Sequence, residues 1–135
     1  MDGVNLFQVV QATWNLLEVS AAPALVEAKA QGLGIIVKEA LANGRLTDPA
    51  GGEHVTALRQ EAIAHNTTVD AVALAAALSQ PWADVVLSGA ATVGQLRSNV
   101  EACTVNWDAE ASDLLDALAE PPSAYWAARA GLAWN

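Results

Sequence analysis

Basic charge is scarce in this chain: six Lys and Arg stand against fifteen Asp and Glu, for a net charge of −9 over 135 residues. Lys29, Lys38, Arg45, Arg59, Arg97 and Arg129 are scattered, whereas a nucleic-acid binder clusters its cations to displace counterions. Nucleic acid and anionic membrane are therefore excluded as expected partners. The lone Cys103 rules out an internal disulfide and makes a cysteine metal site untenable. Its place at the end of an amphipathic stretch predicts an inert, buried thiol. His54 and His65 have no Cys or carboxylate at ligand spacing, so both read as surface or helix-end residues and no metal site is expected. No apolar run is long enough to span a bilayer, and Met1-Asp2-Gly3 does not open a signal peptide. A cytoplasmic protein is expected. Tyrosine is nearly absent too, with Tyr125 alone.

What is present is apolar. The composition is 53% hydrophobic, enough for one domain with a true core and too short for two. Val4 to Trp14 reads as a strand buried on both faces. Ser20-Ala21-Ala22-Pro23 starts a helix over Pro23 to Gln31, closed by Gly32. Leu33 to Glu39 is a second buried strand. Ala40 to Glu53 carries Asn43-Gly44, Asp48-Pro49 and Gly51-Gly52 and reads as a long loop of the functional kind. Helices follow over Val55 to His65 and Val69 to Ser79, the latter with Thr67 and Asp70 as a capping box. A third strand, Ala83 to Ser88, leads into a helix from Val93 to Ala102, and another spans Ala109 to Ala119 before Pro121-Pro122 and the tail. Strands alternating with helices predict a parallel sheet with right-handed crossovers. Three such strands leave both sheet edges open, so the chain reads as a piece of something larger. The five tryptophans read as core or interface anchors.

One turn stands out chemically. The strand ending at Leu87 gives way to Ser88-Gly89-Ala90-Ala91-Thr92 and then to a helix. Small residues expose the backbone there, and the free N–H groups of a helix start favour an anion. Thr92 is the candidate N-cap.

Taken in order, four segments resemble the aldo-keto reductase family. Val9-Val10-Gln11-Ala12-Thr13-Trp14-Asn15 is similar to its sixth strand, and Gly34 to Leu46 to its seventh strand with the pyrophosphate loop. Ser88-Gly89-Ala90-Ala91-Thr92-Val93-Gly94-Gln95-Leu96-Arg97-Ser98-Asn99 is similar to its eighth strand and the following helix; Tyr125-Trp126, Arg129 and Trp134-Asn135 resemble its C-terminal segment. The resemblance implies an α/β fold, the C-terminal fragment of a (β/α)8 TIM barrel, with residues 1–135 forming one partial, cofactor-binding unit. In such barrels the loops after strands seven and eight commonly hold phosphate. It implies NADP as cofactor, with NAD as the alternative, in an enzyme class that reduces aldehydes and ketones. Gln11 would then bond the nicotinamide carboxamide. Leu41, Ala42 and Gly44 would approach the pyrophosphate, with Lys38 favouring the phosphates. Gly89, Ala90, Ala91 and Thr92 would lie along the adenosine ribose, Gln95 beside them, and Asn99 would meet the adenine edge.

Three positions depart from the family pattern. Lys38 stands where an aromatic often stacks on the nicotinamide, and Gln95 where an Arg often pairs with the 2′-phosphate. At Ser98 a Glu is frequent. The family's Tyr, Lys, Asp and His tetrad belongs to the first half of the barrel, so no catalytic residue is expected among these 135, and a carbonyl substrate is expected only in a complete barrel. The alternatives are a non-catalytic nucleotide-binding or interaction module, and a half-barrel that associates through its open edges with itself or another chain.

Overall fold

In the computed structural model, which describes residues 6–133 apart from the side chains of Leu114 and Leu115, three parallel strands pair in the order β1 (Val9–Thr13), β2 (Gly34–Lys38), β3 (Val85–Val86). The register sets Gln11 beside Ile36 and Ile36 beside Val85. Partners in a parallel ladder share a face, so Gln11, Ile36 and Val85 lie on one side and Ala12, Val37 and Val86 on the other. The second side is packed. Ile35 and Val37 are fully buried, each contributing about 2 kcal/mol by removal from water.

Helices α1 (Ala22–Ala30), α2 (Glu53–Ala64) and α3 (Val69–Leu78) supply the cover. Pro23 sits in the first turn of α1, and Gly32 just beyond its end takes φ +86°, the left-handed conformation that a helix stop requires. In α3 every residue from Ala71 to Ala77 is buried. Its alanines present so little bulk that both α2 and the turn Glu101–Thr104 pack closely against it. Helix α4 (Val93–Val100) precedes that turn; α5 (Ala109–Asp116) and α6 (Pro122–Ala130) complete the chain. Trp14, just after β1, and Trp82, before β3, meet edge to face at 5.8 Å, both buried.

The first strand is shorter and more open than its apolar run predicts. Val9 is 51% exposed and Gln11 is exposed, because among the described residues nothing covers that face of the sheet. Val4 of the expected strand lies outside the described residues, as do Trp134 and Asn135 of the tail. Only Val85–Val86 of the third run is strand, although the backbone N–H groups of Asp84 and Leu87 also donate to Ile35 O and Val37 O; the Asp84 side chain adds to this, accepting from Ile35 N at 2.8 Å and pairing with Lys29. The expected long loop contains two single helical turns, Ala42–Gly44 and Asp48–Ala50. Thr68, not Thr67, caps α3 by accepting from Ala71 N at 3.1 Å; Thr67 donates to Glu101 instead. Cys103 is exposed, not buried, because the helix gives way to a tight turn that rotates it outward. Trp126 is 45% exposed, while its neighbour Tyr125 faces the core.

Candidate functional site

All three strands run the same way, so their C-terminal ends gather three connections. Asn15 follows β1, Glu39 follows β2, and Ser88 lies just beyond β3. Between the second and third of these lies a cavity of about 470 Å³. Lys38, Leu41 and Gly44 line one wall, with Glu39, Asn43 and Thr47; Gly89, Ala90, Gln95 and Asn99 line the other, with Leu87 and Ser88. Asp70, in the first turn of α3, completes the lining.

The wall after β2 is backbone-strained. Glu39, Ala42 and Asn43 have φ of +57°, +48° and +55°, followed by Gly44 at +89°. Three non-glycine residues in the left-handed region cost on the order of 1 kcal/mol or more each, so the surroundings must hold them there. They do. Arg129 of α6 donates to both carboxylate oxygens of Glu39, with Nη2 to Oε1 at 2.9 Å, and holds that carboxyl below its ordinary range. Asn15 Nδ2 donates to Glu39 O at 2.9 Å and to the Tyr125 hydroxyl at 3.0 Å. Its Oδ1 accepts from Leu17 N and Glu18 N. Arg45 lies 5.7 Å from the Tyr125 ring centre and pairs with Glu120. Burial pushes the Tyr125 phenol above its usual range, and its ring is 1% exposed. The only tyrosine is thus a buried anchor and is not part of the cavity's lining.

The wall after β3 is held from within. Thr92 Oγ1 accepts from Gln95 N at 3.2 Å, and Gln95 Oε1 accepts from Ala91 N at 2.8 Å and Thr92 N at 3.1 Å, a complete capping box. Ala90 N donates to Ser88 Oγ. The expected N-cap is present, but the amides of Ala91 and Thr92 already have an acceptor. Among the described residues nothing accepts from the backbone N–H of Leu41, Asn43 or Gly89, all on the cavity. Lys38 makes no ion pair there. Asn99 is 5% exposed; its Nδ2 donates to Ser88 O at 3.0 Å, while its Oδ1 is buried without a partner. Such an acceptor costs stability unless something donates to it.

Of the residues singled out in the sequence, the structure brings Lys38, Leu41, Gly44, Gly89, Ala90, Gln95 and Asn99 together. Ala42 is buried behind the loop, Ala91 and Thr92 face outward at the rim, and Gln11 sits on the open face of β1, outside the cavity lining. Asp70 escaped the sequence reading as a site residue because it looked like half of a capping box. Burial, followed by the nearby Asp48 carboxylate, raises its pKa. Among the described residues no group of three His, Cys, Asp or Glu could hold a metal, and no helix is long and apolar enough to cross a membrane.

Parallel strands with covering helices and a cavity at the strands' C-terminal ends make up a segment of a βα-barrel. Residues 2–120 match the model of the aldo/keto reductase family, and the chain belongs to that family. No curated protein matches it. Solved structures do. The thermostable aldo-keto reductase Tm1743, determined with the inhibitor epalrestat, superposes with a TM-score of 0.70 at 23% identity, over 82% of this chain and 39% of that one. Aldo-keto reductase AKR11C1 from Bacillus halodurans in its holo form gives 0.68 at 19% identity, over 87% and 44%; its apo form gives 0.66 at 20%, over 84% and 44%. The chain thus spans less than half the length of these structures, which share its fold.

Proposed function

We propose that these residues form the dinucleotide-binding side of an aldo-keto reductase and carry none of the groups that protonate the carbonyl. The observation that supports this is the cavity between the Lys38–Gly44 and Ser88–Ala90 walls, lined by Lys38, which makes no ion pair among the described residues, and by Leu41, Asn43 and Gly89, whose backbone N–H groups have no acceptor among them. A dinucleotide fits that set. Lys38 and the amides of Leu41, Asn43 and Gly89 suit a pyrophosphate. The Asn99 side chain, on the cavity's lining, suits the adenine edge. Gln11, on the open face of β1, is where the nicotinamide amide would be met, and Ala42, Ala91 and Thr92 shape the walls from behind and at the rim. When bound, the cofactor supplies hydride; this chain's residues bind and orient it. NADP is the expectation from family resemblance and NAD its alternative. A carbonyl substrate enters only in a complete barrel, and a cytoplasmic location belongs to the same reading.

Titrating the chain with NADH and NADPH, following nicotinamide fluorescence, tests the reading. Saturable binding of at least one, with no oxidation on adding an aldehyde, supports it. Binding of neither overturns it. A second reading, a half-barrel that assembles with another chain, draws on the open sheet face, where Val9, Val85 and Leu87 are 51%, 46% and 43% exposed. A concentration-dependent sedimentation coefficient supports that reading, and a monomer at all concentrations removes it.

A further inference from the structure

Glu39 puts a carboxylate on the wall of a cavity whose Lys38 and free amides suit an anion. Its charge is met from outside the lining. Arg129 of α6 donates to both carboxylate oxygens, and Asn43 Nδ2 donates to Oε2 at 3.1 Å. The side chains of Arg129 and Glu39 are 24% and 16% exposed, so solvent screens this pair less than it would a surface pair. Helix α6 grips the same residue a second way. Tyr125, one helical turn before Arg129 and on the same helix face, accepts from Asn15 Nδ2, which also donates to Glu39 O. Tyr125 is the one buried residue of α6. Two side chains on one face of this helix thus lead to Glu39.

We infer that Arg129 is a positioning residue for the dinucleotide: by neutralising Glu39 it makes the wall after β2 compatible with a pyrophosphate, so docking of α6 and binding in the cavity favour each other. This rests on the reading of the cavity as a dinucleotide site. With α6 docked, the wall offers Lys38 and the N–H groups of Leu41 and Asn43 beside a carboxylate whose charge is already met. Without Arg129, that carboxylate confronts the ligand's phosphates as an unpaired like charge, which opposes binding. Asp70, the other carboxylate on the lining, is carried by α3 and is not altered by α6. Coupling of this kind is reciprocal. Whatever docking of α6 adds to dinucleotide affinity, the dinucleotide adds to docking.

The test is a fluorescence titration with NADH and with NADPH of the chain, of Arg129→Gln and of the double variant Glu39→Gln with Arg129→Gln, circular dichroism confirming each fold. Arg129→Gln should weaken binding of either cofactor about tenfold. Removing the carboxylate as well should restore affinity to within about threefold of the parent. A merely structural Arg129 predicts no such rescue, because the double variant lacks the same ion pair. Hydrogen exchange of the parent chain supplies a readout that needs no variant and decides where Arg129→Gln fails to fold. Exchange in α6 should slow at saturating cofactor, although no residue of α6 lines the cavity. An affinity unmoved by Arg129→Gln, a folded double variant no tighter than the single one, or α6 exchange unmoved by cofactor overturns the inference while leaving the dinucleotide reading intact. Failure of the parent chain to bind either cofactor overturns both.

Discussion

The two walls of the cavity are built by opposite means. The wall after β2 is locally strained and held from afar: Arg129 lies 90 residues from Glu39, and Tyr125 lies 110 residues from Asn15. The wall after β3 is held by its own residues, since Thr92 and Gln95 satisfy each other three positions apart. A strained loop persists only while tertiary partners over-determine it, whereas a capped turn survives the loss of its surroundings. Helix α6 is therefore part of the site although none of its residues lines the cavity.

The largest blow to this contrast is Tyr125→Ala. Removing a fully buried aromatic should cost about 3 kcal/mol, read by urea unfolding. Hydrogen exchange should quicken across residues 39–46 and stay unchanged at 88–95. Equal loosening of both walls would contradict the contrast. Next, Lys38→Ala should weaken dinucleotide binding on the order of tenfold, or about 1.4 kcal/mol, without altering exchange in either wall. Thr92→Ala removes an N-cap and should cost about 1 kcal/mol, with exchange rising in α4 alone.

Acid sharpens the comparison further. The Glu39 carboxyl is held below its ordinary value of 4.5, chiefly by its hydrogen bond from Arg129. Its contribution is complete above that value and is lost as pH falls through the lower, folded-state pKa. Acid unfolding followed from pH 5 downward should release the first wall before the second, and Arg129→Gln should abolish that early step. The smallest effect belongs to Cys103→Ser. An exposed side chain away from both walls should change stability by less than about 0.5 kcal/mol.

The same contrast explains what could be read from the sequence. The Thr92 cap is a local pattern and was legible, as were the parallel sheet, the helix stop at Gly32 and the small residues of the second turn. Asp70 was not legible as a site residue, because an acidic residue in a helix's first turn already has a sufficient local reason. Nor was the Thr67 assignment secure: adjacent threonines offer the same hydroxyl, and only the backbone direction at Thr68 decides between them. The Glu39–Arg129 pair and the Asn15–Tyr125 bond join distant segments that no periodicity connects. Cys103 and the two-residue β3 depended on how the chain turns after an apolar run, which composition does not report.

On the proposed reading, a nicotinamide dinucleotide binds in the cavity between these two walls. The most direct measurement is the amide NMR spectrum of the chain during titration with NADH. Binding there predicts saturable shifts at Leu41, Asn43 and Gly89 and in the side-chain amide of Asn99, with α1 and α5 unmoved. Shifts confined to the open face around Val9 and Ile36, or none at all, would contradict it.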